Sequence, residues 1–444
     1  MKIIIAGAGD VGTHLAKLLT NEEQDILVVD EDPDKLGVLD ANYNLMTLVG
    51  CPTSFKTLRN AHVGGCDLFI AVTPYETDNL VACSIAKNLG AQTTVARVNS
   101  YDFLEEDNNE LVKHMGVDRL IYPEFLAAKE IITALRRSWV RHWFELHDGE
   151  IIVVGVKLGH GSPIAGSQLK DFARENHHFH VSAIKRNHEI IIPRGVDTLE
   201  ESDILYITCT HEHVNDLLEL TGKIDHRVRR VMIMGGGKIA VRVISLAGDE
   251  FKFKIIDNNP NTCRLLPEKC PDCEIVQGDA RDTDLLFDEG IEDYDAFIAL
   301  SGSSEANILT CLTAKELGIK KTIAEVEDIQ FISQAEGLNI GTIINKKLLA
   351  SSSIFQLLLD ADSSTSKCLA LADAEVAEIE VKPGSKITRS AVKDLKLSHD
   401  MTLAGLVRDG HGMLVNGMTV IQPGDHVVVF CLSGALHKVE KLFN

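Results

Sequence analysis

From residue 3 onward the chain spells a pattern that it spells again 228 positions later. Ile3-Ile4-Ile5-Ala6-Gly7-Ala8-Gly9-Asp10-Val11-Gly12 returns as Val231-Met232-Ile233-Met234-Gly235-Gly236-Gly237-Lys238-Ile239-Ala240. Asp30, closing Ile26-Leu27-Val28-Val29-Asp30, has its counterpart in Asp257, and Gly50 in Gly278. Cys66-Asp67-Leu68-Phe69-Ile70-Ala71-Val72-Thr73 matches Tyr294-Asp295-Ala296-Phe297-Ile298-Ala299-Leu300-Ser301. The segments behind these also pair: Val154-Gly155-Val156-Lys157 with Ile379-Glu380-Val381-Lys382, and Glu201-Ser202-Asp203-Ile204-Leu205-Tyr206 with Pro423-Gly424-Asp425-His426-Val427-Val428. Self-similarity of this kind means one unit used twice, so a fold that suits the first half must suit the second.

Within each half, short apolar runs alternate with helical stretches. Ile3 to Ala6, Ile26 to Asp30, Leu68 to Val72 and Thr94 to Val98 are short and nearly continuously apolar, as strands buried on both faces are. Asn79 to Leu89 repeats its apolar residues at helical spacing. Strands alternating with helices predict an α/β class with a doubly wound parallel sheet. Glu124 to Trp139 and Lys347 to Asp360 read as connecting helices. Ile151 to Cys209 and Val376 to Cys431 read as short strands broken by Gly, Pro and Asp. The expected architecture is two Rossmann-type domains, 1–125 and 228–345, each followed by a small α+β domain, 140–223 and 363–444.

The 444 residues are 45% apolar, enough for several ordinary domains. A formal charge of −21, from 65 acidic against 44 basic residues, repels nucleic acid backbones and argues against nonspecific binding to them. Met1-Lys2-Ile3-Ile4-Ile5 enters an apolar strand directly, without the order of regions a signal peptide has, and no segment reaches the roughly 20 apolar residues that span a bilayer. The expectation is a cytosolic chain whose ten cysteines are mostly reduced and buried. Cys270-Pro271-Asp272-Cys273 with Cys263 lacks a second pair for a structural zinc site and reads as a plain turn between strands.

Gly7-Ala8-Gly9-Asp10-Val11-Gly12 gains weight from its setting: it follows an apolar strand, opens an amphipathic helix, and precedes an acidic residue ending the next strand. Gly7 allows the tight turn, Gly9 allows close approach of a pyrophosphate, and Gly12 allows close helix packing. The helix N-terminus then offers N–H groups to phosphate. Asp30 is placed to accept ribose hydroxyls and to repel a 2′-phosphate, which favours NAD or adenosine nucleotides over NADP. The second copy keeps Gly235, Gly237 and Asp257, with Lys238 and Ile239 opening its helix and Ala240 in the third glycine place. Asp279 and Ala280 follow Gly278 there, with Asp279 able to face an adenine edge. Cys51, then Pro52 and Thr53, take that place in the first copy. Arg97 ends its strand at the carboxyl edge, where a guanidinium can grip phosphate; Glu325 is its counterpart, a reversal of charge. The alternative for Arg97 is a surface salt bridge.

His177-His178-Phe179-His180 and His211-Glu212-His213 have no counterpart in the other half and lack helical metal-ligand spacing, so they read as exposed loop histidines. No metal site and no catalytic group is expected.

Taken together, these residues resemble the TrkA family, cytosolic regulators of Trk potassium uptake built from two RCK (KTN) units in tandem. The specific marks are the duplicated glycine motifs with Asp30 and Asp257, Asp78-Asn79-Leu80 and Glu305-Ala306-Asn307, Arg97, and Met115-Gly116-Val117-Asp118-Arg119-Leu120-Ile121-Tyr122-Pro123-Glu124. The resemblance extends over essentially the whole chain, including Gln422-Pro423-Gly424-Asp425. It implies a non-enzymatic, peripheral membrane protein that binds NAD(H) and ADP or ATP. Such a protein assembles into a ring beneath a TrkH- or TrkG-like potassium-translocating subunit and gates it, and closed symmetric association makes a homodimer or homotetramer the expected state. Thr73 and Glu305 join the nucleotide-site candidates on this ground. Cys51-Pro52 and Glu325 depart from the family's pattern.

Two other readings fit parts of the sequence. An NAD-dependent oxidoreductase would need a positioned acid or base beside the nicotinamide, and the small domains show no repeated His, Lys or Tyr for it. A regulator of some other membrane transporter fits the same fold.

Overall fold

The structure is a computed structural model that describes residues 1–20, 24–187, 189–361, 365–370, 374–432 and 435–443. Its first six strands are β1 (Lys2–Ala6), β2 (Asp25–Asp30), β3 (Met46–Val49), β4 (Leu68–Ala71), β5 (Thr93–Arg97) and β6 (Arg119–Ile121). They form a parallel sheet in the order β3-β2-β1-β4-β5-β6. The apolar runs that marked them are buried on both faces: Ile3, Ile4, Ile5, Phe69 and Ile70 are wholly inaccessible. The order reverses between β1 and β4, and a doubly wound sheet opens its ligand crevice at the carboxyl ends of its strands at such a point.

An antiparallel sheet follows, of β7 (His142–Leu146), β8 (Ile151–Lys157), β9 (His180–Arg186), β10 (Glu189–Ile191) and β11 (Ile204–Thr210), ordered β10-β9-β11-β8-β7. Two short helices, Leu169–Glu175 and Asp216–Thr221, accompany it. The second half then repeats the design. β12 (Arg230–Met234), β13 (Lys252–Asp257), β14 (Glu274–Gln277), β15 (Ala296–Ala299), β16 (Lys321–Glu325) and β17 (Thr342–Ile344) make a parallel sheet ordered β14-β13-β12-β15-β16-β17. After a strand β18 (Thr365–Ala370) come β19 (Ala374–Glu380), β20 (Met401–Arg408), β21 (His411–Leu414) and β22 (His426–Leu432), with β22 between β19 and β20. The α/β class, the two Rossmann-type sheets and the small α+β domain behind each are all present.

The residues gather into two compact units: Met1–Leu126 with Lys346–Leu371, and Ala127–Asn345 with Ala372–Asn444. The first unit therefore takes in a helix from far down the chain. Lys346–Ala361, the connecting helix that follows β17, packs on the glycine-motif helix Asp10–Thr20. Ser351, fully buried, donates to the Val11 carbonyl at 3.3 Å, and Lys347 Nζ meets Asp10 Oδ2 at 2.6 Å. Asp10–Thr20 also keeps Leu15 and Leu19 out of water, a burial of about 1.5–3 kcal/mol for each side chain.

In the second unit both small domains carry the same internal ion pair. Arg186 donates to both oxygens of buried Asp203 at 2.8 and 2.7 Å, and Arg408 does the same to Asp425 at 2.7 Å for each bond. Each carboxylate also accepts a backbone N–H, from Glu200 or Gln422, at 2.8 Å. The two small sheets touch one another through Tyr206 and Phe430, whose ring centres lie 5.7 Å apart.

Two local expectations change. Cys270 ends the helix Pro260–Lys269 and Cys273 precedes β14, so their turn joins a helix to a strand rather than two strands. His180 opens β9 instead of lying in a loop, because its neighbours continue the Val181 to Ile184 apolar run into the sheet, and burial pushes its imidazole down to about 4. His177, His178 and His211 are exposed as expected, although His178 and His213 stack with centroids 3.8 Å apart. Among the nine cysteines whose side chains are described none forms a disulfide, and six are buried.

Candidate functional site

At the first glycine motif the backbone turns at Gly7, whose φ of +114° lies in the region that favours glycine. A Cβ on Gly12 would stand 1.9 Å from the Gly7 carbonyl oxygen, so a side chain there displaces the loop. A Cβ on Gly9 would meet nothing within 4 Å, which leaves open space in front of the helix N-terminus where a phosphate can approach. The second motif turns at Gly235, φ +98°, and leaves the same open space before Gly237. Ala240 in place of Gly12 is completely buried, so this loop already holds the methyl group that the first one excludes.

Asp30 and Asp257 do more than was read from their position. Asp30 Oδ2 accepts the Ala8 N–H at 2.6 Å and Oδ1 accepts the Asp32 N–H at 2.9 Å. Asp257 binds the N–H groups of Gly236 and Asn259 in the same way, at 2.7 and 2.8 Å. Each carboxylate thus fixes its glycine loop and keeps acceptor capacity for ribose hydroxyls.

The crevice floor is set by a residue that the sequence marked without explaining. Asn79, wholly buried, donates to the carbonyls of Thr73 (3.0 Å) and Arg97 (2.9 Å), and its Oδ1 accepts Thr73 N–H (2.9 Å) and hydroxyl (2.8 Å). Asn307 makes the corresponding four bonds to Ser301 and Glu325, at 2.9, 2.8, 2.9 and 2.7 Å. One side-chain amide therefore ties together the ends of two neighbouring strands in each sheet. Next to it Glu76 accepts the N–H groups of Asn99 and Ser100, and Ser304 those of Glu327 and Asp328. An Asn near the start of a helix, eight residues after a strand end, was the available signal.

Several residues at matching positions around the crevice are not repeated. Arg97 sits at the carboxyl end of β5, with its Nε buried and without a hydrogen-bond partner among the described residues, and it forms no ion pair there. Glu325 occupies the same place on β16 and is 5% exposed. Asp10 and Lys238 open the two glycine helices with opposite charges. Cys51 Sγ and Thr53 Oγ1 lie 3.1 Å apart, whereas Asp279 is held by Arg281 through Nε and Nη2 at 2.9 and 2.6 Å. In the second half Gly235, Gly237, Asp257, Asp279, Ala280 and Ser301 line one cleft of about 460 Å³. Glu305 lies in the first turn of the helix Ser304–Glu316 and hydrogen-bonds Ser303 Oγ at 3.0 Å. The side chains of Val11 and Ile239 are buried.

TrkA-N domain models match residues 3–123 and 231–346, and TrkA-C domain models match 153–222 and 376–444. The chain belongs to the TrkA family. Across its full length it is 31% identical to the Trk system potassium uptake protein TrkA of Haemophilus influenzae, covering 98% of that protein. Identity is 30% to the proteins of the same name from Halomonas elongata and Vibrio alginolyticus, with the same coverage. Among solved structures it resembles the GsuK channel bound to NAD, with a TM-score of 0.60 at 17% identity over 100% of this chain and 78% of that one. It also resembles the GsuK RCK domain, with a TM-score of 0.61 over 100% and 94%. The TrkA fold thus accounts for both halves. No helix among the described residues is long and apolar enough to cross a membrane.

Proposed function

We propose that the chain is a regulatory subunit of a Trk-type potassium uptake system. It binds NAD(H) and ADP or ATP in its two glycine-motif crevices and passes their occupancy to a TrkH- or TrkG-like membrane subunit as a homodimer or homotetramer. The family and the relatives' names support potassium uptake; the GsuK structures bound to NAD and to ADP lend support to the ligands. The limits 1–125, 140–223, 228–345 and 363–444 serve as the working domains.

The observation that carries the ligand assignment is Arg97. A buried guanidinium nitrogen without a partner is costly unless an anion completes it, and it stands at the phosphate end of a Rossmann crevice. Glu325 repels a terminal phosphate at the equivalent point. The first site therefore discriminates by phosphate charge, and the second prefers NAD or AMP. Neither crevice needs an acid or base for this role.

Titration calorimetry with ATP, ADP and NADH tests the assignment. Arg97→Ala is expected to lose about 10- to 150-fold in ATP affinity, the value of a charge-assisted hydrogen bond, and Glu325→Ala to gain affinity for ATP at the second site. Unchanged affinities in Arg97→Ala would sink the phosphate role. Capture of a multi-span potassium transporter from membranes, changed by nucleotide, tests the partner; measurable hydride transfer without such capture would favour the oxidoreductase.

A further inference from the structure

Within the second unit three side chains with metal-binding atoms meet at a point remote in sequence from both glycine motifs. His147 and Glu378, 231 residues apart in the chain, join with His426; their ligand atoms all lie within 4.8 Å of one another. His147 Nδ1 is 2.9 Å from Glu378 Oε1, and His426 Nδ1 is 3.1 Å from the same oxygen. We propose that His147, Glu378 and His426 form a transition-metal site, best suited to Zn2+, that clips the first small domain to the second.

Two histidines and one carboxylate are a recurrent zinc donor set that leaves a fourth position open. Around tetrahedral zinc, with bonds of about 2.0–2.2 Å, ligand atoms sit about 3.3 Å apart. The two histidine–carboxylate separations need to open by only a few tenths of an ångström, and the two imidazole nitrogens, within 4.8 Å of each other, to settle at the same spacing, to admit the ion, each imidazole then carrying its proton on Nε2. Imidazole and carboxylate together also fit cobalt, nickel and copper, whereas magnesium prefers an all-oxygen shell.

The surroundings are built toward this point. Glu378 is 2% exposed, while the two rings are 30% and 28% exposed, which gives a buried anchor under an open mouth. Glu378 and His426 sit on one face of the β19–β22 pair, diagonal to each other, because Glu378 pairs with Val428 and Glu380 with His426. His147 arrives on the turn between β7 and β8. There His147 and Asp148 take φ of +47° and +54°, and the turn directs both the His147 N–H (3.1 Å) and its Nδ1 at the Glu378 carboxylate. Across the repeat, Glu378 and His426 correspond to Val153 and Ile204, both buried and apolar. The fold thus takes hydrocarbon at these places, and the carboxylate and imidazole are additions peculiar to one copy.

The test uses the full-length chain, stripped with chelator and held in reductant, titrated with Co2+ and then displaced with Zn2+. The expected result is one tetrahedral cobalt ion per chain, seen by its visible d–d absorption without the thiolate charge-transfer band that cysteine ligation would add. Zn2+ should raise the thermal midpoint by mass action. His147→Ala and His426→Ala, partly exposed and so tolerated by the fold, should each weaken binding by more than the roughly 10- to 100-fold that loss of a mere supporting residue costs. Glu378→Gln, which keeps the side-chain shape, should lose the ion as well. A folded wild-type chain that takes up no cobalt overturns the proposal, as does cobalt bound only through thiolates. Undiminished binding by the two histidine variants overturns it too.

Discussion

Asn79 and Asn307 make the same four hydrogen bonds in the two halves, and Asp203 and Asp425 hold the same arginine partners. Arg97 and Glu325, Asp10 and Lys238, and Cys51 and Asp279 occupy matching positions with unlike chemistry. Side chains that hold backbone to backbone keep the same partners in both copies, even where Glu76 gives way to Ser304, because the same sheet edge needs the same donors and acceptors. Several around the crevice are free of that demand and differ. Repetition within one chain thus separates what the fold requires from what a ligand selects.

The largest effect that would break this comparison falls on the shared residues. Asn79→Ala and Asn307→Ala each strip partners from buried backbone groups at two strand ends. Each should cost about 3 kcal/mol or more, since every orphaned group costs about 1–3 kcal/mol. Urea unfolding of the two variants should give similar losses; a large loss in one half and none in the other would show that the bonds do not have a common structural role.

A smaller effect sharpens the one glycine difference. Gly12→Ala drives a methyl into the Gly7 carbonyl and should cost about 1–3 kcal/mol, the usual range for overpacking. Nucleotide binding at the first site should fall with it. Ala240→Gly removes a methyl from a helix and should cost only about 0.5–1 kcal/mol. Calorimetric melting checks both, and equal costs would mean the two loops are shaped alike.

A pH-dependent effect comes from His14, whose counterpart is Arg242. Burial, helped by Lys17, pushes the His14 imidazole down to about 4. It is therefore neutral in the folded chain, while the unfolded chain takes up a proton near the ordinary value of 6.5. The stability it lends is complete above pH 6.5 and is lost as pH falls toward 4. His14→Gln should flatten that decline by about 1–2 kcal/mol, measured as the urea midpoint from pH 7 to pH 4. A slope unchanged by the substitution would remove His14 from the acid response.

Much of the fold was legible because its signals are local. Ile3-Ile4-Ile5-Ala6 and its copy announce buried parallel strands, and the glycine motifs announce the turns that follow them. The candidate crevices were legible to the same degree, through Gly7, Asp30 and their matches. What stayed hidden depends on distance. His147 is one residue of a turn and Glu378 one of three glutamates in its strand, so no spacing links them. The second role of Asp30, holding Ala8 N–H, depends on how the loop folds back. Nor does any sequence period show that Lys346–Ala361 lies on Asp10–Thr20.

That last packing has a consequence for how the two copies can be inherited. The helix after β17 packs on the glycine-motif helix of the first copy at Asp10 and Val11, and a single peptide link, Asn345 to Lys346, joins it to the second copy's sheet edge. A gene cut between the halves would strip the first Rossmann domain of its cover and leave the second with an ownerless helix. The duplication is therefore locked: each copy is free to change its ligand chemistry, but neither can leave.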